Sequence, residues 1–167
     1  FFMLRKDREM DENFGLMVID KSQYAVLSTV KEDGSPYCVP VSPVRVGKSL
    51  YIHGSINGLK NKCMRLNGRV CLSFVGDVNL VPEKFTTEYE SAIAEGIAKE
   101  VTSDGEKTEA LKQICLKYAP SNMENFEAAV SKSLFRTAIW KIDITEITAK
   151  RKKYDKDGKE MTFGRME

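Results

Sequence analysis

The sequence is short of the residues that most often announce chemistry. It has one histidine, His53, in 167 residues, and its four cysteines, Cys38, Cys63, Cys71 and Cys115, include no C-x-x-C pair. A zinc site of ordinary Cys/His spacing is therefore close to excluded, and no metal is expected. One histidine without a placed nucleophile also defines no Ser/His/Asp triad. Neither a G-x-G-x-x-G following a strand nor a P-loop is present. No apolar run approaches the ~18 residues of a membrane span, and FFMLRKDREMDENFG reaches charge too soon for a signal-peptide core. The expectation is a soluble, unexported, cytoplasmic protein with reduced, mostly buried thiols. A formal net charge of +2 gives no general attraction to nucleic acid. Internal repeats, low-complexity tracts and Pro/Gly-rich linkers are missing too, so nothing splits the chain.

What remains is an ordinary globular composition, 42% hydrophobic and 30% charged, long enough to bury a core as one domain. Phe14, Met17 and Val18 predict a short helix over Glu12 to Asp20. YAVLSTV (24–30) reads as a strand, Asp33-Gly34 as a hairpin turn, and YCVPVSPVRV (37–46) as the return strand. Pro40 and Pro43 cannot donate to a ladder, so that strand lies at an edge or walls a ligand. After a turn at Gly47-Lys48, Leu50 to His53 is a third strand, and Leu59, Cys63 and Leu66 mark a helix that Gly68 would end. VCLSFV (70–75) is then a buried strand.

Tyr89 to Val101 satisfies both a helix stripe and a strand face, and its Ala and Glu content favours helix by propensity. Capping-box signatures at SDGE (103–106) and SNME (121–124) predict a helical hairpin, and LFRTAIWKIDITEIT (134–148) a long closing strand. The KRKK run (150–153) is followed by Asp155 and Asp157, which reads as a solvated tail rather than a nucleic-acid patch. Glu88 and Glu90 read as a solvated polar face.

The candidate chemistry gathers at YIHGSINGLK (51–60), where strand, turn and helix meet. A helix starting near Gly58 points unpaired N–H groups toward Gly54 and Ser55, with Lys60 in its first turn. That is either a phosphate cradle or a structural junction. His53 is a proton donor, a ligand partner or a strand-end histidine bonded to backbone.

RKDREM near the start, YAVLSTVKEDGSPYCVPVSPV, SLYIHGSINGLKNKCMRLNGRVCLSFVGD and FTTEYESAIAEGIAKEV together resemble the pyridoxamine-phosphate-oxidase-like split β-barrel family, in its branch of nitroimidazole-resistance (Nim) related flavoproteins. The resemblance spans roughly residues 5 to 150. It implies an α+β fold, a six-stranded antiparallel split β-barrel with peripheral helices, formed by a single FMN-binding domain over 1–150 with a charged C-terminal tail over 151–167. It also turns Glu90 to Val101 into a strand, which is adopted here over the propensity.

The same resemblance implies a homodimer with FMN at the interface. Val39, Pro40, Val41 and Ser42 would lie along the isoalloxazine; His53, Gly54 and Ser55 near ring and ribityl chain; Lys60 at the phosphate; Tyr89 and Ser91 at the flavin of the other protomer. Asn57 and Leu59 make the turn less basic than a doubly lysine-bearing version. The activity implied is an FMN-dependent oxidoreductase passing electrons to a small electron-poor acceptor such as a nitroaromatic, with His53 as catalytic candidate. A non-catalytic flavin- or haem-binding module is the alternative. A pyridoxamine-phosphate oxidase proper would need a basic cluster for substrate phosphate that is not found. Small-molecule donor and acceptor are the expected partners besides the second protomer, with no nucleic acid or membrane.

Overall fold

In YAVLSTV the residues alternate between an inward row, Ala25, Leu27 and Thr29, and an outward row, Val26, Ser28 and Val30, and this period of two is repeated round the sheet. The computed structural model describes residues 3–164; Phe1, Phe2 and the last three residues of the expected tail lie outside them. The strands are β1 (Glu9–Met10), β2 (Ala25–Val30), β3 (Pro36–Val41), β4 (Val44–Val46), β5 (Ser49–Ser55), β6 (Arg69–Val81), β7 (Thr86–Val101) and β8 (Thr137–Lys152). The helices are α1 (Glu12–Lys21), α2 (Leu59–Leu66), α3 (Asp104–Tyr118) and α4 (Phe126–Ser133).

All pairings are antiparallel, in the order β3-β2-β6-β7-β8-β5-β4, with β1 beside β8. The two ends of that path, β3 and β4, are not hydrogen-bonded to each other but are joined in the chain by Ser42 and Pro43. The sheet is thus a barrel left open along one seam. The described residues form eight strands where six were expected. One addition is the two-residue β1; the other arises because the expected strand over 37–46 breaks at Pro43, whose missing N–H cannot join a ladder.

Trp140, Phe74, Leu27, Leu50, Ile52, Leu72 and Ile142 fill the barrel, each 2% exposed or less, and Val18 and Ile19 of α1 pack against them. Each such side chain contributes ~1.5–3 kcal/mol by leaving water. Opposite these bulky residues β7 turns Ala92, Ala94 and Ala98 inward. That explains why its alanine content misleads: the small residues fit a crowded interior, and pairing with β6 on one side and β8 on the other outweighs helix propensity. The α3–α4 hairpin covers the outer face of β5, β7 and β8, where Val101 and Ile139 meet Leu111, Phe126 and Val130.

Several local expectations change. Ser103 does cap α3, its side chain accepting from Glu106 N at 3.5 Å, but Glu106 accepts from the Tyr51 hydroxyl at 3.4 Å and does not complete a box. Ser121 caps nothing: Pro120–Asn125 is a 3-10 stretch interrupted at Asn122, and α4 begins only at Phe126. Gly68 is not in the left-handed region and does not end α2 as a glycine cap. It is needed for approach, since its carbonyl accepts from Ala98 N at 2.7 Å and a Cβ there would stand 2.8 Å from Ala98 O.

The expected domain boundary at residue 150 falls inside β8, where Lys150, Arg151 and Lys152 pair with Ser91, Glu90 and Tyr89. Beyond β8 the chain folds back: Glu160 pairs with Arg8 at 2.6 Å, Lys84 donates to Gly158 O at 2.6 Å, and Phe163 N donates to Asp7 O at 2.9 Å. Long aliphatic stems let such residues pack while their charge reaches water, which hides strand character behind a basic run. The four thiols are free, but only Cys63 is buried, and Cys38 is exposed. No helix among the described residues is long and apolar enough to cross a membrane.

Candidate functional site

Alternation along β5 sends Leu50 and Ile52 into the barrel and leaves Tyr51 and His53 on the outside. The strand ends at Ser55, whose carbonyl accepts from Gly58 N at 2.9 Å, and Gly58 is the N-cap of α2. Asn61 fixes this junction. It is fully buried; its Nδ2 donates to Ser55 O at 2.5 Å and its Oδ1 accepts from Trp140 Nε1 at 3.0 Å. Ile56 N also donates to Arg136 O at 3.3 Å, which tethers the turn to the start of β8.

On this rigid support Lys60 folds back over the strand end. Its Nζ donates to His53 O at 2.8 Å, and no carboxylate pairs with it among the described residues. The path of its stem requires Gly54: a Cβ there would stand 2.6 Å from Lys60 Cε and 2.9 Å from Nζ. Burial pushes the Lys60 pKa below the ordinary lysine value. The N–H groups of Leu59 and Lys60 find no acceptor among the described residues, and the first turn of α2 holds no acidic residue. A half-buried ammonium, unpaired N–H groups and close glycine backbone face one place. Together these groups suit an anion.

His53 is open at its outer edge, yet desolvation of the ring first, and the Lys60 charge second, push its pKa below the ordinary histidine value. At neutral pH it is a neutral imidazole, able to donate from one nitrogen and accept at the other.

Of the residues expected along β3, Val39 and Val41 pair with Leu27 and Ala25 and pack into the core, whereas Pro40 and Ser42 face outward. The outward pair leads to the Ser42–Pro43 corner, which β4 carries to β5, with Val44 opposite Tyr51. Pro43 O is held there by Tyr118 Oη at 2.7 Å and Lys117 Nζ at 3.1 Å. The structure therefore brings His53, Gly54, Ser55 and Lys60 together, with Ser42 close in register. Tyr89 and Ser91 lie elsewhere. His53 pairs with Ile139, which pairs with Val101, and Ser91 is ten residues up β7 from there, about 30 Å away along a strand. Both line a separate cavity of about 870 Å³ on the outer sheet face, with Cys71, Ser73 and Ile93.

Two residues at the junction escape a reading of the sequence. Asn61 carries no motif; the only signal is a polar residue where the helix needs an inward one. Indeed the expected stripe of α2 is rotated: Asn61, Cys63 and Met64 are buried, and Leu59 and Leu66 are exposed. Arg136 is exposed, without an acidic partner among the described residues, and its backbone abuts the turn. Glu90, expected on a solvated face, is buried beside Lys21 and Arg151.

The profile of the pyridoxamine 5'-phosphate oxidase family matches residues 16–151. The chain belongs to that family. No curated protein matches it. Among solved structures, it is similar to a candidate 5-nitroimidazole antibiotic resistance protein from Bacteroides thetaiotaomicron, at 21% identity over 86% of each chain with a TM-score of 0.71. It is also similar to an FAD and heme binding protein from Mycobacterium smegmatis, at 20% identity over 87% of this chain and 73% of that one with a TM-score of 0.74. An FAD-binding protein from Mesorhizobium loti matches at 18% identity over 86% of this chain and 96% of that one, with a TM-score of 0.64. At such identities the likeness is one of fold, and the flavin and heme in those names belong to those proteins. For a member of the pyridoxamine 5'-phosphate oxidase family, the junction of β5 and α2 is where the chain's own anion-seeking groups converge.

Proposed function

We propose that this chain is an FMN-dependent oxidoreductase that passes electrons from reduced flavin to a small, flat, electron-poor acceptor of the nitroimidazole or other nitroaromatic type, working as a homodimer. The observation that supports it most is Lys60, an ammonium lodged over Gly54 with one carbonyl partner and no acid among the described residues, beside the N–H groups of α2 that find no acceptor among them. These groups suit a phosphate dianion, with Lys60 as point charge, Ser55 as hydroxyl and Arg136 as a second cation within reach of the turn. Pro40 and Ser42 offer a wall for a flat ring, and Tyr89 and Ser91 of a second protomer would complete a site that one chain leaves divided. Flavin, when bound, supplies the electron transfer; the chain binds, orients and excludes water. Neutral His53 stands where it would orient the acceptor or give it a proton.

The test is a flavin titration followed by fluorescence. Wild-type protein should bind FMN, and Lys60→Ala should bind it about 10–100-fold more weakly, the worth of one charged hydrogen bond at ~1.5–3 kcal/mol. A protein that is colourless as purified and also ignores added FMN would end this reading and leave the junction a structural turn.

A further inference from the structure

The flavin reading uses Lys60 as a charge, yet its amine is also a nucleophile. Half-buried, its Nζ meets only His53 O, at 2.8 Å, and no carboxylate among the described residues. Lysine attacks only as the neutral amine, and an acid beside it would hold it as ammonium. Burial acts alone here and lowers its pKa. His53 O engages one N–H, so the lone pair of the neutral amine is left uncommitted. Gly54 makes that placement possible, since a Cβ there would stand 2.9 Å from Nζ.

Lys117 is the comparison that the fold itself provides. Burial lowers its pKa too, against Asp20, and it meets carbonyls, Ile19 O at 3.4 Å and Pro43 O at 3.1 Å. It stands in the last turn of α3, the carbonyl end of a helix, where an anion is repelled. Lys60 stands in the first turn of α2, which holds no acidic residue. The N–H groups of Leu59 and Lys60 find no acceptor among the described residues, and Arg136 is close by, its carbonyl accepting from Ile56 N at 3.3 Å. Two amines eased toward neutrality by burial thus differ in whether an anion is welcome beside them. An electrophile that carries its own dianion is gathered by the first and not by the second. Acyl phosphates have that form, a reactive carbonyl one oxygen away from a phosphate.

We infer that Lys60 is an acylation site for small acyl phosphates of the acetyl phosphate class, which dock by their phosphate on the first turn of α2. The lone pair of neutral Nζ attacks the carbonyl carbon, and the bond from that carbon to the phosphate oxygen breaks. Inorganic phosphate leaves with the electron pair and takes up the amine proton, and the product is an uncharged amide. The N–H groups and Arg136 hold the phosphate, so the amine need not be its counter-ion, and docking makes the attack effectively intramolecular. The acylation stands apart from the flavin reading; its consequence, a switch that removes the charge meant for the flavin phosphate, rests on it.

The test treats the protein with acetyl phosphate and, separately, with the uncharged N-hydroxysuccinimide ester of acetic acid, and follows each lysine by peptide mass spectrometry. The rate at Lys60, relative to Lys117 and to the exposed Lys48, should be about tenfold higher with acetyl phosphate than with the ester, the worth of a charged hydrogen bond or two to the phosphate. Excess inorganic phosphate should erase that preference. Equal ratios with the two reagents, or a preference that inorganic phosphate leaves intact, would overturn the inference whatever the protein does with flavin. A clear preference in a protein that ignores FMN would end the flavin reading and leave the acylation site standing. Where FMN does bind, the acetylated protein should hold it about 10–100-fold more weakly, as Lys60→Ala does, and undiminished binding would deny the switch.

Discussion

Lys21 and Lys60 are the same residue placed in opposite circumstances. Lys21, at the end of α1, reaches Asp77 at 2.9 Å and also Glu90, which Arg151 approaches at 3.5 Å from its other side. Burial would pull its pKa down, but hydrogen bonds to Glu90 and Asp77 outweigh that and raise it. Among the described residues Lys60 meets only a carbonyl, and burial lowers its pKa unopposed. The first charge is neutralised by the fold and ties α1 to β6 and β7. The second is left uncompensated, at a cost the folded chain bears without visible structural return. A lysine with its acid in place is architecture; one whose acid is missing points to a ligand that brings it. Lys117, with no ion pair among the described residues, shows the intermediate case: two carbonyls, of Ile19 and Pro43, hold it, and it acts as a brace.

The comparison breaks first at Glu90. Glu90→Ala should cost about 3 kcal/mol in urea denaturation, because it leaves Lys21 and Arg151 short of a nearly buried partner. Lys60→Ala should leave the midpoint almost unmoved, so equal losses in the two variants would abolish the distinction.

A finer probe is Gly54→Ala. The backbone there is not left-handed, and the new methyl crowds only the far end of the Lys60 side chain, with Asn61 Oδ1 at an ordinary 3.9 Å. Stability should hardly change while FMN affinity drops about tenfold, since the ammonium is displaced but kept. Unaltered binding would mean that the position of Lys60 does not matter.

The smallest effect concerns pH. His53 has a folded-state pKa below its unfolded value, near 6.5, through desolvation and then Lys60. Below that unfolded value the unfolded chain binds the proton first, so stability falls as pH drops. A His53→Gln variant should show a shallower acid loss than wild type between pH 7.5 and 5.5, and identical slopes would show that His53 titrates normally. Lys60 follows the same sign at the alkaline side: its lowered pKa makes stability rise with pH up to the unfolded lysine value.

Much of the sheet could be read from its residues, because alternation and turn chemistry are local. The hairpin at Asp33-Gly34, the strand of His53 and the helix after Gly58 all stand where the pattern puts them. Local propensity misleads where tertiary context decides, as at β7, which the family resemblance made a strand and the structure bears out. β7 looks helical until its alanines are set against Trp140 and Phe74. Gly68 reads as a helix stop but serves a contact with a strand thirty residues away, at Ala98. The basic run from Lys150 hides a strand because lysine stems can lie on a sheet. At the candidate site the turn itself was legible and its keystone was not: nothing in the sequence singles out Asn61, whose importance lies in the Trp140 indole far along the chain. The rotation of α2 that exposes Leu59 and Leu66 was equally hidden, since leucines read as core by default.

The α3–α4 hairpin leaves the sheet at Val101 and returns to it beside the same residue, Val101 being paired with Ile139. In connectivity it is a cassette, and a short turn could replace it without disturbing a single rung of the ladder. In mechanics it is a clasp. Lys117 and Tyr118 reach from it to the carbonyl of Pro43, at the seam where the two free edges of the sheet are joined. Excising the cassette would therefore spare the barrel's pairing yet loosen that seam, freeing β3 and β4 to pair with strands of other molecules. On this view the hairpin guards the sheet's two edges against strand exchange, a role quite separate from whatever the barrel binds.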